Sequence, residues 1–199
     1  SVKSRGLGDV YKRQLLHTAG GLVGGDQLDI DVALETNSHS LITSVAAQKV
    51  YGSIGRSRLT PQGSWARQHV NCQLGSHSDL EWLPQELVVY ANALYEQQLS
   101  VRLPKDASVL GAEIVRLGRT AAGETLQQGR WRSSLSIQRV SANQSEPQSW
   151  ELVDRLELGN SSLNDLHGLH QQPVFGTLIW AAPMPLCAHI LKNLVCLLY

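Results

Sequence analysis

Three carboxylates stand inside strand-like apolar runs: Glu81 beside Trp82 and Leu83, Glu113 beside Ile114 and Val115, and Asp154 beside Val153 and Leu156. Successive side chains of a strand point to opposite faces, so one residue of each alternating set turns inward. An inward carboxylate must be paired, hydrated or bound to a cation, because an isolated charge in an apolar interior is costly. Two readings follow. Either the acids lie on wet outer faces, or they form a file of interior carboxylates along a water-filled passage suited to a divalent cation. Glu81 belongs to Leu80-Glu81-Trp82-Leu83-Pro84-Gln85-Glu86, where two acids and a proline interrupt a run that a buried strand would keep apolar.

Other residues carry weaker chemistry. His167 and His170 flank Gly168 at a spacing of three; imidazoles suit transition metals, but the glycine and nearby Pro173 work against a rigid helical site. His39 and His77 each fall in a turn and would meet only if those turns stack. Cys72 alternates with Val70 and Leu74 and reads as a small core residue. It is widely spaced from Cys187 and Cys196, with no CxxC, so neither a disulfide framework nor a structural zinc site is indicated and a reducing cytoplasm fits. No GxSxG is present, and no histidine is placed to activate a serine or cysteine. The loop Gly20-Gly21-Leu22-Val23-Gly24-Gly25-Asp26 is rich in glycine, and such loops cradle phosphates when a helix follows. Here an alternating strand with Asp29 and Asp31 follows, so the loop reads as a tight turn leading into that strand, with Asp26 as its one candidate functional group.

These residues need strands to position them. Leu28–Leu34, His69–Leu74 and Leu99–Leu103 alternate, and each leads through a polar turn (35–40, 75–78, 104–107) to a second strand at 41–43, 80–82 or 109–111. A fourth unit is expected over Arg130–Leu158, with Ser141–Ser149 as its loop. Strand pairs with one apolar face each must stack to bury it, which predicts a mainly β fold, a layered and solenoid-like stack of strand–turn–strand repeats with few helices. A helix is expected from Pro185, where Leu186, Ile190, Leu191 and Leu194 share one face. Leu166–Leu191 lacks Asp, Glu, Lys and Arg, yet its histidines, glutamines and prolines favour a buried strand followed by a helix over a membrane span.

At 199 residues, one domain is expected. Ser1–Gln14 has no apolar period and resembles translated adapter sequence, as does Cys196–Tyr199, so 15–195 is expected to be the native β domain. Without residues 1–14, the balanced charge of 17 basic and 17 acidic residues becomes −3, which argues against a nucleic-acid binder.

Several of these segments, in this order, resemble the urease accessory proteins called UreD or UreH. The resemblance rests on the Gly20–Asp26 loop, Leu80–Tyr90, and Leu117-Gly118-Arg119 followed by Gly123-Glu124, with support from Ala47-Gln48-Lys49-Val50-Tyr51 and Phe175-Gly176-Thr177-Leu178. It spans roughly residues 15 to 195 and implies a largely β fold, and a chain lacking both ends of the family's usual length. It also implies a non-enzymatic, cytoplasmic urease maturation factor, a scaffold and conduit that carries nickel as transient cargo, with no permanent cofactor and no membrane partner. The implied partners are urease apoprotein, a UreF-like accessory protein and, through it, a UreG-like GTPase. Nickel would pass Asp26, Glu113, Asp154 and Glu81. Glu113 departs from the aspartate expected at its place and Asp154 from a glutamate, so charge is kept while reach changes by a methylene. Gly24, Gly25, Lys49, Tyr51, Trp82, Pro84, Gln85, Gly118, Arg119 and Glu124 would serve structure or partner contacts. Two alternatives stand beside this reading: a β interaction module with no metal role, and a metal-dependent hydrolase using His167 and His170.

Overall fold

The computed structural model describes residues 2–4, 10–16, 19–141, 148–166 and 168–185. Its strands, numbered in chain order, form two sheets. The first runs β1 (Val2–Ser4), β3 (Gln27–Leu34), β6 (Ala66–Leu74), β9 (Leu94–Leu103), β11 (Arg130–Arg139) and β12 (Ser149–Gly159). The second runs β2 (Val10–Leu15), β4 (His39–Ser44), β7 (Asp79–Trp82), β10 (Ser108–Leu117), β8 (Leu87–Val89) and β5 (Gln48–Val50), with β13 (Val174–Ala181) antiparallel on the other side of β10. Helical structure among the described residues is confined to two single turns, Thr120–Ala122 and Ser161–Leu163.

The alternation read from sequence dictates this arrangement. In β3, Val32 and Leu34 are buried while Asp29 and Asp31 face outward, where Asp29 meets His69 at 3.3 Å and Asp31 accepts from Asn71. In β6, Val70, Cys72 and Leu74 turn inward, so Cys72 is the core residue expected, its thiol pushed up to about 12 by burial. Each of the first three units crosses from one sheet to the other through its turn, and its strands pair in parallel with those of the next unit. Ser38 and Ser78 brace two of these turns, their hydroxyls donating to the carbonyls of Glu35 and Gly75.

One expectation changes. The fourth unit is not a copy of the others: β11 and β12 are antiparallel neighbours in one sheet, a hairpin, because the chain returns along β11 instead of crossing. The Leu80–Tyr90 run holds two strands, the first of them the strand expected at 80–82. β7 and β8 lie end to end along β10, separated by Leu83–Glu86, and β4 and β5 lie end to end beside them. Pro84 has no N–H to give to a ladder, which places the break where it falls. Residues 2–4 and 10–15, within the segment expected to be foreign, form strands that pair in parallel with β3 and β4. The helix expected from Pro185 lies outside the described residues.

The core between the sheets is divided. One cluster gathers Val32, Ile42, Val70, Cys72, Leu80, Trp82, Val101 and Ile137, the other Leu22, Val50, Leu87, Val89, Tyr95, Val115, Leu117 and Trp131.

Candidate functional site

The division has a cause that runs strand by strand. At one level across the two sheets, the inward position of strand after strand is polar. Ala66-Gln68-Val70 on β6, Tyr95-Gln97-Leu99 on β9, Gly111-Glu113-Val115 on β10, Trp131-Ser133-Leu135 on β11 and Phe175-Thr177-Ile179 on β13 each set a polar side chain between apolar ones. Asp154 of β12, Gln48 of β5, and Pro84 and Gln85 of the β7–β8 break complete the layer. Together they line an interior cavity of about 80 Å³. Val70, Trp82 and Leu99 wall it on one side, Leu87, Tyr95 and Trp131 on the other.

Its polar groups are partly tied to one another. Gln97 donates to Glu113 Oε1 at 2.7 Å and also lies 3.4 Å from Ser133 Oγ. Gln48 donates to Gln68 at 2.8 Å. Burial pushes the Glu113 carboxyl above the usual range, and the Gln97 amide offsets this only in part. Burial and then the Glu113 charge raise the neighbouring Tyr95 phenol. Among the described residues, the buried Tyr95 hydroxyl and Trp131 Nε1 have no hydrogen-bond partner, although such groups are normally satisfied. Asp154, in contrast, is exposed on β12, at the side where β12 and β13 end their sheets. The cavity therefore grades from a buried acid to a solvent-facing one. Weak oxygen ligands of this kind suit a hard or borderline divalent cation that must also leave.

The other two acids proposed for a passage lie elsewhere. Glu81 turns outward from β7 and bonds His39 Nε2 at 2.9 Å, since Leu80 and Trp82 take the inward positions. Asp26 closes its own turn: its Oδ2 accepts from Val23 N–H at 2.9 Å while its N–H donates to the Val23 carbonyl. His39 and His77 do not meet; His77 lies 3.3 Å from Asp106. His170 is exposed and His167 lies outside the described residues. Among the described residues no three His, Cys, Asp or Glu side chains gather as a metal-holding group, and no helix is long and apolar enough to cross a membrane.

Of the remaining motif residues, Gly24, Tyr51, Arg119 and Glu124 line a cleft of about 600 Å³, with Gly25, Lys49 and Gly118 close to them in the chain. Gly24 lies against Ser53 and Ser64 so closely that a Cβ would stand 2.5 Å from the Ser53 Cβ. Lys49 is exposed on β5, its carbonyl accepting from Leu22 N–H at 2.8 Å. Tyr51 meets the Tyr90 ring edge-on at 5.1 Å, and the Arg119 guanidinium sits 4.8 Å over Tyr90. Glu124 accepts from Arg119 Nε at 2.8 Å and from a second guanidinium nitrogen. These bonds hold the Glu124 carboxyl below its usual range and raise Arg119. Gly118 has a φ of +86° and leaves room for the Glu124 carbonyl, which a Cβ would meet at 2.5 Å. Gly25, also at positive φ, turns the chain into β3. Sequence reading named the acids of the polar layer but did not assign Gln48, Gln68, Gln97, Ser133 or Thr177 to it. The signal for four of them was a polar residue in phase with an inward apolar series.

Comparison with known proteins shows the family. The family described as UreD urease accessory protein matches residues 4–196. Among curated relatives, urease accessory protein UreD of Synechococcus sp. (strain WH7805) is 70% identical over 181 residues, covering 91% of this chain and 57% of the relative. Its counterpart in Synechococcus sp. (strain CC9605) is 71% identical over 174 residues, covering 87% and 55%. That of Prochlorococcus marinus (strain MIT 9303) is 57% identical over 181 residues, covering 91% and 60%. The chain thus spans rather more than half the length of these relatives. A match over nearly the whole chain, joined to identities this high, places it in the UreD urease accessory protein family.

Proposed function

We propose that this chain is the β portion of a urease maturation factor that carries no catalysis of its own and passes nickel, as cargo, through its interior polar layer to urease apoprotein. The observation that carries the proposal is the meeting of Glu113 and Asp154, from different sheets, in one cavity between two apolar clusters. Confinement has a physical purpose. Nickel competes poorly with metals that bind the same ligands more tightly, so delivery works by guiding the ion rather than by affinity. Side chains that hold it weakly, such as Asp154, Gln97 and Glu113, permit both entrance and release.

Glu113 and Asp154 are the passage residues, with Gln97 orienting Glu113. Asp26 and Glu81 act outside the cavity, Asp26 by fixing the glycine turn. The stacked parallel units act as a solenoid-like scaffold. Its motif-built cleft, with Tyr51, Tyr90 and Arg119, contacts partner proteins, residue types that favour such contacts. The partners are urease apoprotein, a UreF-like accessory protein and, through it, a UreG-like GTPase, all within the cytoplasm.

The test is nickel-dependent urease activation in cells lacking their own accessory protein of this family, complemented with the longer protein carrying these residues. Restored activation that falls at least tenfold with Glu113→Ala or Asp154→Ala, in protein still soluble and still bound to its partners, supports the conduit. Unchanged activation with both substitutions together rules it out.

A further inference from the structure

The loop between β5 and β6 presents the most exposed large apolar side chain among the described residues, Leu59, at 93% exposure. Exposed single leucines are ordinary; a rigidly held one, preceded by two exposed arginines in three residues, is not. The loop is bonded within itself. Gly55 N–H donates to the Pro61 carbonyl at 2.9 Å, and Gly63 N–H to the Thr60 carbonyl at 2.9 Å. The Ser57 hydroxyl accepts from the N–H groups of Leu59 and Thr60. At its base, the Ser53 hydroxyl donates to the Ser64 carbonyl at 2.9 Å. Gly55 and Gly63 take positive φ, and a Cβ on Gly63 would stand 2.9 Å from Ile54. A short loop closed by its own hydrogen bonds presents its apex in one preformed shape, which lowers the ordering cost of an encounter.

The charge at the apex is one-sided. Arg56 and Arg58 are exposed and have no ion pair among the described residues, although the whole chain is formally neutral. Arg56, Ser57 and Thr60 also line the 600 Å³ cleft, together with Arg119 and Tyr90. Glu124, the one acid there, is already bonded to Arg119. The loop thus offers an apolar knob at Leu59 with two exposed arginines just before it, beside a hydroxyl-lined cleft.

We infer that the 55–60 loop and the adjoining cleft dock a partner protein that offers an apolar pocket for Leu59 with carboxylates at its rim for Arg56 and Arg58. This rests on the maturation reading and gives one of its contacts a chemistry. A protein fits better than a nucleic acid, because the contact centres on an apolar side chain and nucleic-acid surfaces reward a basic stripe instead.

Binding of urease apoprotein and the two accessory proteins to the immobilised whole protein tests it, at low and at physiological salt. The variants are Leu59→Asp, Arg56→Glu with Arg58→Glu, and Arg102→Glu on the far end of β9 as control. All change exposed residues, and unaltered unfolding curves show that the fold is kept. The expected result is a loss of about tenfold or more in affinity for one partner with Leu59→Asp. The double arginine variant should lose affinity together with its salt dependence, and Arg102→Glu should bind as the parent does. Parent-like affinity in both loop variants overturns the docking surface and leaves the maturation reading standing. Loss with the arginines alone, Leu59→Asp binding as the parent, overturns it in favour of a bare polyanion contact. If the parent binds none of these proteins, the docking surface and the maturation reading both fall.

Discussion

Glu113 and Glu124 show how one residue type serves two purposes according to its surroundings. Glu113 lies in the polar layer with one amide donor, and burial raises its pKa above 4.5. A carboxyl whose folded-state value lies above its unfolded value gives stability that is complete below the unfolded value and is lost as pH rises through the folded one. At neutral pH, Glu113 therefore weakens the fold. Glu113→Gln keeps an acceptor for Gln97 and removes the charge, so its Tm should exceed the parent's at neutral pH and converge with it below about pH 4.5. Thermal unfolding of both proteins across pH checks this, and parallel curves would mean that Glu113 is not held in a dry setting. Glu124 has the opposite sign. Arg119 lowers its pKa, so its contribution is present above 4.5 and lost as pH falls through the lowered value, and pairing with the half-exposed Arg119 at the surface keeps that contribution small.

At the scale of elements, the breaks matter as much as the strands. Continuous strands through 39–50 and 79–89 would carry apolar side chains straight across the level of the cavity. The Leu83–Glu86 break interrupts that series, and Gln85 N–H is satisfied instead by the Ser44 hydroxyl at 2.9 Å. Proline made this break legible in the sequence, whereas the matching break after Ser44 carries only Val45, Ala46 and Ala47 and gave no signal. The glycine loop is the second element whose geometry is demanding. Gly24 packs against Ser53 and against the Ser64 carbonyl, 2.7 Å from where a Cβ would be. Gly24→Ala must push apart two loops that form the cleft, and should cost about 1–3 kcal/mol in urea unfolding, in the range of other overpacked sites. A cost near zero would show that the two loops yield freely.

For the whole molecule, the consequential feature is the β13 edge, which pairs only with β10 among the described residues. Strand β13 has no charged residue and no proline along Val174–Ala181, and Leu178 and Trp180 are exposed on its outer face, as is Ile114 of β10. Native edges are usually protected by charge, proline or a bulge. Leu178→Lys together with Trp180→Lys should therefore raise the temperature at which heated samples begin to scatter light. The unfolding midpoint should move little, by about 0.5 kcal/mol or less as for other surface changes. An unchanged onset would place the aggregating segment elsewhere. Much of this architecture was legible beforehand. Alternation alone determined the strand pairs of the first three units, the outward Asp29 and Asp31 and the core position of Cys72, because a period of two reports which face each residue takes. Motif order pointed to the family. What alternation cannot report is which residues on different strands share a level, since that depends on register between segments distant in the chain. The tertiary structure therefore decided that Glu113 and Asp154 face one cavity, that Glu81 turns away to His39, that Asp26 is spent on its own turn, and that β11 and β12 form a hairpin. It also gathered Gly24, Tyr51, Arg119 and Glu124 around one cleft, a meeting fixed by where parallel strands align and not by any local pattern of residues.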